Sequence, residues 1–416
     1  MRKPGPAKAV KQAKKRKPAK SAGQRAKGRD KLRAAAATEI NFVAPPIPDQ
    51  IPFKPSSGHA LEMAEVSSLV HFEQAHAIAN GEGVTAAVLD SGCFTGHLDF
   101  QPSDLRIAAS VNCMSDPPGD DITDASGHGT HVAGALAAKG VHIGVAPACR
   151  IVPVKILEGT GSDQSADISS AIANGLNWVL DNADRLGISV VCLSVGDNKN
   201  HADDSGFAAN PVTQAILALA ARNIPVVAAA GNYYGLFATK ELAAEGMCYP
   251  AIVRQVVSVG AVYDQPCNDA AGRPCSLGAE YGSPSTQSSR ADQLAIYTQR
   301  MEKVDADGCG TVIFAPGSWV LATGIGGNAG SSIVRQGTSQ AAPVVAGVIA
   351  LLQSLHLKEK RNARPDIAML VRIIRQSAKV IEDDSEVTSL AVTGKRFLRV
   401  DALAAVTQLQ QELAVA

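Results

Sequence analysis

The sequence predicts an α/β fold in which a mainly parallel sheet is flanked by helices on both faces. Short apolar runs recur at Val84–Leu89, Arg150–Ile156, Ile188–Val195, Ile224–Ala230 and Gln255–Val262. Helical stretches at His131–Ala138, Ala166–Asp181 and Pro211–Ala221 lie between them. Strands alternating with helices at this spacing read as βαβ units. The runs are near-continuous in Val, Ile, Leu and Ala, which suits strands covered on both sides.

The later elements follow from the same reasoning. Gly337–Gln353 is a helix of small residues, apolar nearly all round after Gln340, and is therefore expected to be buried. Amphipathic helices are expected at Pro365–Lys379 and Val400–Leu409. Residues 263–310 are polar, rich in Gly, Ser and Asp, and read as a long surface excursion. Only 4% of the 416 residues are aromatic against 46% hydrophobic, so the core must rest on aliphatic side chains.

A net charge of zero hides an asymmetry. Residues 1–33 hold 14 of the 39 Lys and Arg but only one acid, Asp30, so the rest of the chain is acidic by 13. A segment so basic and without aromatics cannot bury enough apolar surface to order itself. It reads as a solvated tail, or as an electrostatic contact with nucleic acid or another acidic surface. The chain thus divides into a basic tail, 1–40, a Pro-rich linker, 41–66, and a folded domain, 67–410, with 263–310 as an insertion.

No apolar stretch of signal-peptide length follows the basic start, and no run of roughly eighteen apolar residues marks a membrane span. A cytoplasmic location is the expectation. Eight cysteines are scattered without a CxxC pair, which argues against a structural zinc site. Cys192 suits a reduced core thiol, and Cys267 and Cys275 are close enough to pair in an oxidising compartment.

Three segments carry chemistry. Asp90, in Ala87-Val88-Leu89-Asp90-Ser91-Gly92, ends a buried strand. His128, in Gly127-His128-Gly129-Thr130-His131-Val132-Ala133-Gly134, opens a helix between glycines. Ser339, in Gly337-Thr338-Ser339-Gln340-Ala341-Ala342-Pro343, stands at the start of the buried helix. The carboxyl edge of a parallel sheet is where α/β proteins place ligands. A serine hydroxyl becomes nucleophilic when an imidazole takes its proton, and a buried carboxylate fixes that imidazole. A helix start adds N–H donors for an oxyanion. Asn232, in Ala229-Ala230-Gly231-Asn232, ends a further strand and can add another donor.

Together these motifs resemble those of the subtilisin-like serine proteases, the subtilases, over roughly residues 67–407. The resemblance implies a three-layer fold and a serine endopeptidase acting through an acyl-enzyme. It implies Asp90 as orienting carboxylate, His128 as base then acid, Ser339 as nucleophile and Asn232 as oxyanion donor. The implied partner is a protein or peptide substrate lying extended in a cleft. Ser194, Val195 and Gly196 match the strand lining the specificity pocket. Asp197 follows where many relatives have Gly; it reads either as a carboxylate that selects a basic residue before the scissile bond or as a solvated loop group. Cys248 falls near the pocket base, where a side chain would shorten the pocket.

Departures from the family pattern are equally informative. Gln340 replaces the Met common after the nucleophile, and Val344 the His common after the motif's Pro. Asp99 matches a carboxylate that binds calcium in many relatives, yet Ala137–Gly144 is short where those relatives carry an Asn-containing ligand loop. No metal ligand and no cofactor is therefore assigned, and calcium is left open. His97 and His131 read as structural. Two other functions share these motifs or this fold: a dedicated peptide-processing or acyl-transfer enzyme, and a binding protein whose basic tail grips nucleic acid.

Overall fold

The computed structural model describes residues 63–158, 168–264, 289–305, 307–360, 364–384 and 390–415. The basic tail, nearly all of the linker, and Cys267 with Cys275 lie outside the described residues. The strands are β1 (Thr85–Asp90), β2 (Val111–Asn112), β3 (Arg150–Lys155), β4 (Ile188–Leu193), β5 (Val226–Ala229), β6 (Val257–Tyr263), β7 (Ile313–Ser318), β8 (Val320–Thr323), β9 (Ser332–Arg335), β10 (Lys379–Glu382) and β11 (Arg396–Arg399). Nine form one sheet in the order β10-β11-β7-β6-β5-β4-β1-β3-β2, and β8 with β9 forms a separate hairpin. Every pairing in the large sheet is parallel except β10 with β11.

The main helices are α1 (Ala64–Val70), α2 (His128–Ala137), α3 (Ile168–Leu186), α4 (Pro211–Ala221), α5 (Thr338–Glu359), α6 (Ile367–Gln376) and α7 (Ala402–Val415). Successive strand residues point to opposite faces and so feed two apolar layers. Ala86, Val88, Val190 and Cys192 pack with α2, α5, α6 and α7. Ala87, Leu89, Val191 and Leu193 pack with α3 and α4. This is the three-layer α/β arrangement expected from the sequence.

Helix α5 is buried without a break from Thr338 to His356. It is long and apolar enough to cross a membrane by length and composition, but 94% of its apolar window is buried inside the protein. Such a helix is a core rod, and truncating Leu351 or Leu352 to Ala would cost about 2–5 kcal/mol.

The described part of the expected surface excursion is a correction. Residues 293–300 are buried, not superficial. They run back along β6: Ala295 N donates to Ala261 O (2.9 Å), and Ala261 N to Thr298 Oγ1 (3.0 Å). Their polarity is matched inside the protein. Arg300 makes a two-bond ion pair with Asp383 and covers the Tyr234 ring at 3.3 Å.

Candidate functional site

Parallel pairing of β1 with β4 and of β4 with β5 brings the carboxyl ends of these strands to one edge. Asp90 is the last residue of β1, and His128 is the first residue of α2. Their close approach depends on Gly129: a Cβ there would lie 2.2 Å from Gly92 O and 3.0 Å from Asp90 Cβ. His128 Nδ1 donates to Asp90 Oδ1 at 2.7 Å, with both side chains buried. The same oxygen accepts from Ser91 N (2.8 Å) and Ser91 Oγ (3.2 Å). The imidazole is thereby held at Nδ1, and its buried Nε2 has no hydrogen-bond partner.

Ser339 is the second residue of α5, where backbone N–H groups have no intrahelical acceptor. Its hydroxyl donates to Ser194 O (3.1 Å), and Ser194 Oγ donates to Ser339 O (2.9 Å). The hydroxyl must therefore turn from this carbonyl before it can give its proton to an imidazole. Asn232 Oδ1 accepts from Thr338 N (2.8 Å) and Thr338 Oγ1 (2.9 Å). A backbone N–H can only donate, so the amide's orientation is forced and Nδ2 is left as its donor face.

Ser194, Val195, Gly196, Asn232, Cys248 and Ser339 line one pocket. The pocket has about 20 Å³ of free volume, roughly the room one water needs. Cys248 is among the lining residues. The thiol donates to Ala229 O (3.2 Å), and burial, aided by the Asp197 charge, pushes its pKa well above the ordinary value. It is a neutral hydrogen-bond donor, not a reactive thiolate.

Asp197 does not join the pocket lining. Its carboxylate is buried and accepts from Tyr249 N (3.0 Å) and Lys199 N (3.2 Å), with His201 Nε2 at 2.8 Å. It is neither a solvated loop group nor a group free to meet a basic side chain; it ties residues 197–201 to the Tyr249 backbone. Gln340 is buried behind Ser339, and its Nε2 has no hydrogen-bond partner. His131 is structural, with Nε2 on Val320 O (3.0 Å).

Asp124 was missed at the level of sequence. Its Oδ1 accepts from Gly127 N (2.8 Å) and Ser91 Oγ (2.8 Å), and its Oδ2 from Thr130 N (2.8 Å) and Thr130 Oγ1 (2.7 Å). It satisfies buried N–H groups opening α2 that have no intrahelical acceptor, and reaches Asp90 through Ser91. Burial pushes its pKa up, but the bonds from Thr130, Ser91 and Gly127 together hold it below the usual carboxylate value. An acid four residues before His128, followed by Ser126 and Thr130, is the signal that could have found it.

Calcium does not fit at Asp99. The ion takes about six to eight oxygen ligands. Asp99 Oδ1 instead accepts from His142 N (2.8 Å), and Oδ2 from His142 Nδ1 (2.5 Å) and Thr323 Oγ1 (2.6 Å). The groups that crowd the carboxylate are donors and imidazole nitrogens, not oxygens awaiting a cation.

The fold, with its aspartate, histidine and serine motifs at the carboxyl edge of the sheet, defines a subtilisin-like α/β protein. The chain belongs to the subtilase family, whose model matches residues 81–393. It is 30% identical over 273 residues to subtilisin-like protease 3 of Pseudogymnoascus destructans, covering 65% of this chain and 52% of that protein. It is 29% identical over 304 residues to the major intracellular serine protease of Bacillus subtilis, covering 71% and 76%. It is 29% identical over 305 residues to the intracellular serine protease of Paenibacillus polymyxa, covering 71% and 74%. The match thus spans about half of the fungal relative and about three quarters of the bacterial ones.

Proposed function

We propose that this chain is a serine endopeptidase that hydrolyses protein or peptide substrates through an acyl-enzyme. The observation that carries the reading is the buried His128–Asp90 bond with His128 Nε2 left unpartnered, on the sheet edge where Ser339 opens α5. In the proposed reaction Ser339 Oγ attacks the scissile carbonyl and gives its proton to His128. Asp90 stabilises the imidazolium that forms. The oxyanion is met by Asn232 Nδ2 and the Ser339 backbone N–H at the start of α5. His128 then protonates the leaving amine, and water resolves the acyl-enzyme by the reverse route.

The relatives named as proteases support the substrate class, and two of them are named intracellular, which supports a cytoplasmic site of action. The test is active-site labelling with a fluorophosphonate, run beside cleavage of a peptide library. Both should be present in the full chain and absent from Ser339→Ala at unchanged thermal stability. Labelling that survives Ser339→Ala would overturn the assignment.

A further inference from the structure

His97, Asp99 and His142 form a fully buried cluster whose ligand-type atoms lie within 4.8 Å of one another. The geometry points to a metal-free clamp: the His142 imidazole takes the place of a cation beside Asp99 and pins the loop after α2 to the β8–β9 hairpin.

Three observations build the case. The first is saturation. His142 covers both oxygens of the carboxylate through its backbone N and Nδ1, and Thr323 Oγ1 adds a third bond. A carboxylate so surrounded has little left to offer an ion. The second is that the imidazoles are already engaged. His142 Nε2 lies 3.0 Å from Ser332 Oγ. His97 Nδ1 accepts from Asp99 N (3.0 Å), and its Nε2 meets Ser331 O at 2.9 Å. A metal would have to displace a bond at each ligand.

The third is where the bonds lead. Thr323 ends β8, and Ser331 and Ser332 stand where β9 begins. Lys139, just past α2, donates its N–H to Asp99 O (3.0 Å). Inside α2, a Cβ on Gly134 would lie 2.0 Å from Thr323 Oγ1, so helix and hairpin are in close contact. The clamp therefore braces the far end of the helix that opens with His128. It does so with bonds internal to the protein, which a chelator cannot remove.

This inference does not rest on the peptidase reading, because its readout is thermal stability. The full chain is melted with EDTA, with calcium chloride and with zinc chloride. An ion that binds only the folded state raises Tm. The expected result is a Tm constant within about 1 °C across all three conditions. His142→Ala, which leaves Asp99 buried without its main partner, should lower Tm by roughly 5–10 °C. His142→Asn, whose side-chain amide N–H can replace Nδ1, should recover at least half of the loss. A Tm raised by calcium or zinc, or lowered by EDTA, in the unaltered chain overturns the clamp. So does a His142→Ala variant as stable as the parent, or a His142→Asn variant no better than His142→Ala.

Discussion

The Cys248 sulfur occupies the space into which a side chain on Gly196 would project: a Cβ on Gly196 would lie 2.4 Å from it. Both residues line the pocket, and a side chain on Gly196 has no room beside Cys248. Under the proposed reading, in which this pocket receives the residue before the scissile bond, it suits Ala, Ser or Gly there. With peptide p-nitroanilides differing only at that residue, kcat/KM should favour Ala over Phe by at least about tenfold. Cys248→Gly should raise the Phe value by about tenfold or more, since each buried methylene is worth about 1–3 kcal/mol in such a pocket. A parent enzyme that prefers Phe would refute this.

Asn232 serves two ends of one amide. Its oxygen holds Thr338 N, while its Nδ2 faces the oxyanion in the proposed reaction. Asn232→Asp keeps the acceptor and removes the donor. It should lower kcat by about 10²–10³ with KM little changed. Asn232→Ala should lose the same rate and also stability, because Thr338 N is left without its acceptor. Steady-state kinetics and thermal melts on both variants separate the two roles.

Asp124 gathers the donors that open α2, so Asp124→Ala should destabilise the protein by about 2–4 kcal/mol, combining a lost cap with unsatisfied buried groups. The loosened His128 should also lower kcat more than it raises KM. Urea unfolding and peptide kinetics on the same preparation test both.

The acid side of the stability profile follows from three carboxylates. Burial pushes Asp99, Asp124 and Asp292 up, but their hydrogen bonds and, for Asp292, the Arg399 and Lys379 charges bring all three below the usual value. A depressed folded pKa means that the unfolded chain binds protons first as pH falls. The stabilisation is complete above the unfolded value and is lost as pH drops through the folded ones. Urea midpoints should begin to fall as pH drops through about 6.5, where the unfolded chain protonates the histidines that burial holds below the ordinary imidazole value, His131 and His76, and should fall steeply below about pH 4 as the carboxylates titrate.

The main strands and the motif residues were legible because each is fixed by its own neighbourhood. Asp90 follows an apolar run, while His128 and Ser339 each stand between a glycine and a helical pattern. What stayed hidden depends on distant partners. The Arg300–Asp383 pair joins residues 83 apart, so the mixed run 293–300, set in a polar stretch, looked external when it is internal. His142 and Thr323 meet Asp99 from 43 and 224 residues away, and neither has a local pattern that announces the clamp. Strands β8 and β9 are four residues each and lie among glycines, below the length at which periodicity speaks.

The burial of α5 has a consequence for survival among proteases. Cleavage needs several residues of chain drawn out into an extended strand, and this helix can supply none without dismantling both the sheet contact and its helical neighbours. Cleavage within this helix then waits on global unfolding, and its rate is set by how seldom the whole domain opens.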